Sequence, residues 1–103
     1  MVKLEYAKSA FADLKSIRNY IAEDSAYYAS LFVKELRNKI ESLRISPEIG
    51  KPLYPERFKD LRQLLHKSYR IIYHFENSKI TVISVSHQSR LVDNINIPNQ
   101  FKI

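Results

Sequence analysis

The stretch LRQLLHKSYRIIYHFENSKITVISVS, residues 61–86, decides the fold of this chain. Three segments rich in β-branched and aromatic residues, 61–65, 69–75 and 79–86, are separated by two short polar breaks. Such segments are typical of β-strands, and breaks this short can join only antiparallel neighbours. The sequence therefore predicts a three-stranded antiparallel meander, whose last strand is apolar on both faces and suits the centre of a sheet.

The sequence before this stretch has a helical period. Apolar residues recur at helical spacing over 10–21 and again over 29–43, while charged residues occupy the opposite faces. Ser9 is a candidate cap for the first helix, Asp24-Ser25 for the second, and Ser46-Pro47 ends the second. A connection this short forces the two helices into an antiparallel hairpin.

The remaining segments complete the predicted architecture. Residues 2–6 alternate apolar and polar side chains as a short strand does, and residues 47–60 hold three prolines and the single glycine of a surface loop. We expect an α+β fold: an N-terminal strand, the helical hairpin, then the meander, with a small sheet of about four strands packed by one face on the helices. One domain should span 1–103, with 91–103 as an extended C-terminal tail.

Composition excludes several classes of protein. The chain has 103 residues, 45% of them hydrophobic, and no cysteine. A disulfide framework and a thiolate metal site are therefore impossible, and the apolar fraction is too high for a disordered chain. No run approaches the length of a membrane span, and the N-terminus is unlike a signal peptide. These features predict a soluble cytoplasmic protein.

The formal net charge of +6 is unevenly distributed along the chain. Residues 50–74 contain six basic and two acidic side chains, a local balance of +4. This region is the candidate contact surface for an anionic partner, either nucleic acid or an acidic protein. The plainer interpretation is a solvated basic surface, which is common in small proteins.

Several basic side chains are candidates for chemistry. Alternation along 69–75 predicts that its apolar set faces the helices, which leaves Arg70 and His74 on an open face of the sheet. Arg62 is expected on the strand beside them, and His87 follows the last strand. Such a face could hold phosphate through guanidinium contacts. It could also cleave RNA without a metal, a reaction that needs a base, a cation and an acid.

Plainer interpretations of these residues stay open. Arg62 and Arg70 can form ordinary surface ion pairs with Asp60 or Glu48, and the histidines can be exposed strand or turn residues. The three histidines lack the spacing of metal ligands, and one glycine cannot form a phosphate-binding loop. We therefore expect neither a metal nor a cofactor.

An ordered set of short motifs across residues 2–90 resembles the toxins of the RelE/ParE superfamily. The residues that carry the resemblance are Ala12-Asp13-Leu14, Ile17 and Tyr20-Ile21, then Pro47 and Gly50, then Leu61-Arg62, Tyr69-Arg70-Ile71-Ile72-Tyr73, and Ile83-Ser84-Val85-Ser86-His87-Gln88-Ser89-Arg90. The resemblance implies the toxin half of a type II toxin–antitoxin pair, with a cognate antitoxin as partner in a hetero-oligomer and no membrane association. It also implies a small antiparallel sheet packed on a helical hairpin.

Two activities divide this superfamily, and the resemblance favours one of them. RelE-like members cut mRNA in the ribosomal A site, whereas ParE-like members block DNA gyrase. The ending at residues 85–90 resembles ParE-like toxins, and the strand 61–65 offers a single arginine where ribosome-dependent nucleases tend to carry paired lysines. We therefore expect a ParE-like gyrase inhibitor. Its expected target-binding residues are Arg62, Arg70, His87, Gln88, Arg90, Lys51 and Lys67.

The alternative is a RelE-like, metal-independent endoribonuclease acting on ribosome-bound mRNA. Arg70 matches the arginine of the family motif, and it would stabilise the phosphate in the transition state. Arg62 would orient the phosphate, and His87 would act as base or acid. No catalytic tyrosine of the RelE-like kind follows in the tail.

Overall fold

The computed structural model describes residues 2–103, which form a five-stranded sheet with two helices. The strands are β1 (Lys3–Tyr6), β2 (Lys51–Pro52), β3 (Leu61–His66), β4 (Tyr69–Glu76) and β5 (Lys79–His87), in the spatial order β1-β5-β4-β3-β2. The predicted meander β3-β4-β5 is confirmed, with β5 as an interior strand between β4 and β1. β1 pairs with β5 in parallel. The two-residue strand β2 was not predicted, because it is too short to show a period.

The predicted helical hairpin is present. Helix α1 runs over Lys8–Ala22 and helix α2 over Ala26–Glu41, followed by a 3₁₀ turn at Ser42–Arg44. Ser25 caps α2, since its hydroxyl accepts a hydrogen bond from the Tyr28 N–H at 3.1 Å. Ser9 is not a cap, because α1 already begins at Lys8 and the Ser9 hydroxyl donates to the Ile83 carbonyl of β5 at 2.6 Å. No helix between residues 2 and 103 is long and apolar enough to cross a membrane.

One face of the sheet packs on the helices as predicted. Ile71 and Tyr73 of β4 are fully buried there. They pack in one cluster with the helical stripe, which includes Leu14, Leu36 and Ile40. Burial of such side chains contributes about 1.5–3 kcal/mol each, so this cluster holds the hairpin on the sheet.

The opposite face of the sheet is covered, which corrects the prediction of an open face and an extended tail. Residues 91–103 fold back over it with two 3₁₀ turns. A second cluster joins this segment to the sheet and to the loop before β3; its buried members are Leu53, Phe58, Leu61, Ile72, Ile83, Val92, Ile95, Ile97 and Phe101. Two backbone hydrogen bonds, from Lys59 N–H to the Phe101 carbonyl at 2.8 Å and from Ile103 N–H to the Arg57 carbonyl at 3.0 Å, hold the segment's end.

Candidate target-binding surface

Arg62 lies on the helix side of the sheet, where it is fixed by the loop before it. It pairs across the ladder with Tyr73, which faces the helices. Its guanidinium donates to the carbonyls of Gly50 at 2.7 Å and Glu48 at 3.1 Å, and it lies 3.6 Å from the Glu48 carboxylate. The plainer interpretation of Arg62, an ion pair with Glu48, is thus confirmed. The arginine is held as a loop anchor.

Tyr73 completes this anchor from inside the first cluster. Its hydroxyl donates to the Pro47 carbonyl at 2.7 Å and accepts from the Gly50 N–H at 2.9 Å. Burial raises the pKa of the Tyr73 phenol, while the hydrogen bond from Gly50 acts in the opposite direction. A Cβ at Gly50 would meet the Tyr73 hydroxyl at 2.6 Å, so only glycine fits beside it.

Arg70 lies on the opposite face, which residues 91–103 cover. It stands opposite Ser86 of β5 and Leu65 of β3, two residues along β4 from the buried Ile72, which lies on the same face. Its Nε and Nη1 atoms are buried, and no acceptor within residues 2–103 bonds to them; the Ser86 hydroxyl is likewise buried and unpaired. In the same range, no carboxylate forms an ion pair with Arg70, so the predicted pairing with Asp60 or Glu48 is wrong for this residue. Buried donors without a partner are rare in folded proteins, so Arg70 is an unusual feature of this face.

The separation of Arg62 and Arg70 follows from the register of the β3–β4 hairpin. His66 pairs with Tyr69, so the turn contains only Lys67 and Ser68. The sequence predicted a three-residue break, 66–68. A turn of that length would pair residue 65 with residue 69 and would put Arg62 and Arg70 on the same face. Because side chains alternate between faces, this one-residue difference reverses the face of the whole strand.

His87 ends β5 on the helix side, beside Tyr69. The two rings meet edge to face with centroids 5.5 Å apart. The imidazole Nδ1 accepts from the Ser89 N–H at 3.1 Å and lies 2.8 Å from the Ser89 hydroxyl. Since Nδ1 is an acceptor, the neutral ring carries its proton on Nε2. With Nδ1 engaged by the Ser89 N–H, a base that acts through Nε2 would need the other tautomer and loss of that backbone hydrogen bond.

Residues around His87 form a cluster at the end of the sheet. Gln88 donates from its side chain to the Lys67 carbonyl at 2.6 Å and from its backbone to the Ser68 carbonyl at 2.8 Å. Arg90 donates to the Asn94 carbonyl at 2.9 Å and so fixes the start of the C-terminal segment. A concave surface of about 360 Å³ opens beside His87, lined also by Tyr20, Tyr28, Phe32, Lys67 and Tyr69.

Lys67 is an exposed cation that already has a partner. Its ammonium lies 3.0 Å from the Glu35 carboxylate, which also lies 3.4 Å from the His66 ring. The hydrogen bond from Lys67 lowers the pKa of the Glu35 carboxyl, and the same bond raises the pKa of the Lys67 ammonium. Lys51, in β2, is exposed at the far edge of the sheet.

Four of the seven sequence-predicted residues therefore form one cluster, and Arg62, Arg70 and Lys51 lie outside it. His87, Gln88, Arg90 and Lys67 are neighbours at the end of β5. His87 pairs with Tyr69 of β4, and Arg62 of β3 pairs with Tyr73, four residues further along β4. With β3 two strands from β5, the Cα atoms of Arg62 and His87 are about 16 Å apart. Arg70 projects from the other face of the sheet.

Asp13 is a structural residue of this cluster that sequence reasoning did not single out. Its carboxylate accepts from the Val85 N–H at 2.9 Å and the Ser84 hydroxyl at 3.2 Å. It thereby ties α1 to the part of β5 that β1 does not cover, just before His87. Its place beside the apolar stripe of α1 was the available signal, because carboxylates at such borders often reach a buried donor.

One group of possible metal ligands exists away from this cluster. Side-chain ligand atoms of Asp60, His74 and Glu76 all lie within 4.8 Å of one another. Asp60 precedes β3 and the other two lie on β4, so the sequence spacing gave no sign of the group. Asp60 and Glu76 are exposed, and the His74 ring packs on Phe101 with centroids 4.7 Å apart.

Comparisons with known proteins agree with this fold. A chain from the structure of a chromosomal ParDE toxin–antitoxin system of P. aeruginosa is similar, with a TM-score of 0.72 and 18% identity over 84% of this chain and 96% of that one. The isolated E. coli RelE toxin is similar with a TM-score of 0.63 and 18% identity, covering 90% of each chain. A chain of the Mycobacterium tuberculosis RelBE2 toxin–antitoxin complex is similar with a TM-score of 0.61 and 17% identity, over 84% of this chain and 96% of that chain.

The family assignment comes from the sequence itself. No curated protein matches the chain by sequence alone. The family model of the ParE toxin of the type II toxin–antitoxin system parDE matches residues 4–92, which include both helices, the sheet except its first residue Lys3, and the cluster around His87. The chain therefore belongs to the ParE toxin family, within the RelE/ParE superfamily of type II toxin–antitoxin toxins.

Proposed function

We propose that this toxin inhibits growth by binding DNA gyrase in the cytoplasm, and that a cognate antitoxin neutralises it. The family match over residues 4–92 supports a ParE-like activity. Inhibition by binding needs only a surface of suitable charge and shape, and the chain carries a formal net charge of +6.

The observation that carries the choice of target is the separation of the three candidate catalytic residues. Arg62 is bonded to the loop carbonyls of Glu48 and Gly50, and Arg70 lies on the opposite face. His87 receives a backbone N–H at Nδ1. Acid–base chemistry on one phosphate needs its groups within a few ångströms of one another, so this arrangement favours inhibition over cleavage.

The contact surface that we propose is the cluster of Lys67, His87, Gln88 and Arg90. Arg62 on the helix side and Lys51 on the other face are separate further contacts at the β2 edge. Lys67, His87 and Arg90 are exposed. The two hydrogen bonds of Gln88 to the β3–β4 turn hold the cluster rigid, so little conformational entropy would be lost on binding.

Gyrase assays on the purified chain test this proposal. We expect loss of supercoiling and stabilised double-strand breaks in plasmid DNA. Replacing Lys51, Lys67 and Arg90 together by alanine should raise the concentration for half-inhibition about tenfold. The control replaces Lys8, Lys15 and Lys102 by alanine. It removes the same charge elsewhere and should change the half-inhibition concentration little. Equal effects of the two variants, or no inhibition by the natural chain, would contradict the proposal.

One observation favours the second candidate, a RelE-like endoribonuclease. Within residues 2–103, two buried donors of Arg70 have no acceptor, and the Ser86 hydroxyl opposite them has no partner. In a translating extract, primer extension would then reveal cuts at codon spacing. The Arg70→Ala variant should lose about 100-fold in cleavage rate, since it removes a cation from the transition state. Absence of such cuts from the natural chain would leave the gyrase proposal alone.

The antitoxin has its own test. Co-expression with the adjacent reading frame should rescue growth, and the two proteins should co-purify as a hetero-oligomer. Failure of both would contradict the role of the chain as the neutralised half of a pair.

A further inference from the structure

Three side chains with metal-binding groups meet at the end of the sheet where β3 begins and β4 ends. His74 and Glu76 lie two residues apart on β4, so they point to the same face. Asp60 directly precedes β3, and its carbonyl accepts a hydrogen bond at 3.3 Å from the N–H of Phe75, the residue between the other two. The backbone of the sheet thus places the three groups together, with their ligand atoms within 4.8 Å of one another.

The two carboxylates of this group have no cationic partner in the chain. Among residues 2–103, neither Asp60 nor Glu76 forms an ion pair, although the formal net charge is +6. Lys79 pairs with Glu76 across the β4–β5 hairpin, but its ammonium lies 3.2 Å from the Glu5 carboxylate instead. Neighbouring carboxylates repel each other, so a cation that contacts both would be stabilised there.

The His74 ring is the fixed member of the group. It is half-buried and packs on Phe101, whose carbonyl is held by the Lys59 N–H at 2.8 Å. Asp60 and Glu76 are exposed, so their carboxylates can rotate while the imidazole stays in place. Ligand atoms bound to one ion at tetrahedral angles are about 3.4 Å apart. Small rotations of the two carboxylates are enough to reach that spacing.

The donor set selects the kind of metal. Mg²⁺ and Ca²⁺ take oxygen ligands, whereas an imidazole nitrogen suits Zn²⁺ and other divalent transition metals. One imidazole and two carboxylates neutralise a divalent ion and leave the fourth tetrahedral position to water. A concave surface of about 310 Å³ beside His74 and Glu76, lined also by Thr81 and Gln100, provides room for that water.

We propose that Asp60, His74 and Glu76 bind a divalent transition-metal ion of the Zn²⁺ type. The ion ties the start of β3 to the end of β4 and, through the His74 ring on Phe101, holds the C-terminal segment on the sheet. This departs from the sequence-based expectation of no metal, because the three ligands meet only when the sheet forms. An ion that binds the folded chain alone stabilises it, so the site has a readout that needs no gyrase, ribosome or growth assay.

Calorimetric titration of the full chain, without a histidine tag, measures Zn²⁺ binding, with Mg²⁺ as the control ion. We expect one tight Zn²⁺ site per chain and much weaker binding of Mg²⁺. At a Zn²⁺ concentration tenfold above its Kd, the melting temperature should rise by about 6–10 °C.

Two double variants with the same change of charge locate the ion. Asp60→Asn with Glu76→Gln should weaken Zn²⁺ binding at least about tenfold, and it should reduce the rise in melting temperature to less than half. Asparagine tolerates the φ of 54° at Asp60, so the fold should be kept. The control, Asp24→Asn with Glu56→Gln, changes exposed carboxylates elsewhere and should alter the affinity less than about twofold. His74→Gln should also weaken binding at least about tenfold.

Three outcomes would overturn the proposal. One is no Zn²⁺ binding by the natural chain at millimolar concentration. Another is the same affinity in the two double variants, which would place the ion elsewhere or indicate attraction to net charge alone. The third is equal binding of Mg²⁺ and Zn²⁺, which would mean that the imidazole is not a ligand. Circular dichroism in metal-free buffer confirms that each variant is folded, and the carboxylate variant decides the result if His74→Gln is not.

Discussion

Replacing Phe101 by alanine tests whether the C-terminal segment is part of the folded core. Phe101 is 8% exposed, belongs to the second cluster and packs on His74. Removal of a buried aromatic ring loses its transfer free energy and leaves a cavity, which together cost 3–5 kcal/mol in well-packed cores. Phe101 lies near the chain end, where its surroundings can collapse into part of the space. We therefore expect a loss of about 3 kcal/mol in the free energy of unfolding.

Urea denaturation measures this loss, because a chain of this size should have an m-value of about 1–1.5 kcal/mol per molar urea. The midpoint should then fall by about 2–3 M. Ile103→Ala is the matched control: Ile103 is 80% exposed, and the change should cost less than about 0.5 kcal/mol. A loss below about 1 kcal/mol for Phe101→Ala would refute the packing of residues 91–103 on the sheet.

Three further changes test the anchors around the candidate surface. Gly50→Ala should destabilise the chain by about 2 kcal/mol in urea, because its Cβ would meet the buried Tyr73 hydroxyl at 2.6 Å. Asp13→Ala should lower the free energy of unfolding by about 1–3 kcal/mol, because it leaves the Val85 N–H unpaired. Asp13→Asn should lower it less, because the amide oxygen can still accept that hydrogen bond. The stabilising effect of the Glu35–Lys67 pair, measured against Glu35→Gln, should be complete between their ordinary pKa values of 4.5 and 10.5. It should be lost as pH falls through the lowered pKa of Glu35, and again as pH rises through the raised pKa of Lys67.

Elements with a clear period could be predicted from the sequence. The helical stripes of α1 and α2 and the alternation of 69–75 gave the hairpin, the meander and the face of the sheet that packs on the helices. The fold of residues 91–103 could not be predicted, since 3₁₀ turns joined by irregular chain bury residues at no fixed interval. The available signal was Ile72 and Ile83, apolar residues on a face that was expected to be open.

The candidate site was harder to predict because it depends on register. That Arg70 faces away from the helices follows from alternation alone, and this part was correct. The face of Arg62 depends on whether His66 belongs to the turn or to β3, and a polar residue before Lys67-Ser68 is compatible with both. Lys67 has a positive φ of 52°, which fits a two-residue turn. Such a φ is usual for glycine or asparagine, so a lysine at this position does not indicate it.

The same register supports the proposal that this chain acts by binding. To place Arg62 beside Arg70, β3 would have to slip by one residue, which would move Leu64 out of the first cluster and Leu61 out of the second. Burial of two leucines is worth about 3–6 kcal/mol, comparable with the whole stability of many small domains, so the slip is not a small adjustment. A cleavage site would therefore have to be built on Arg70 and new partners on its own face. Inhibition by contact uses the side chains where they are.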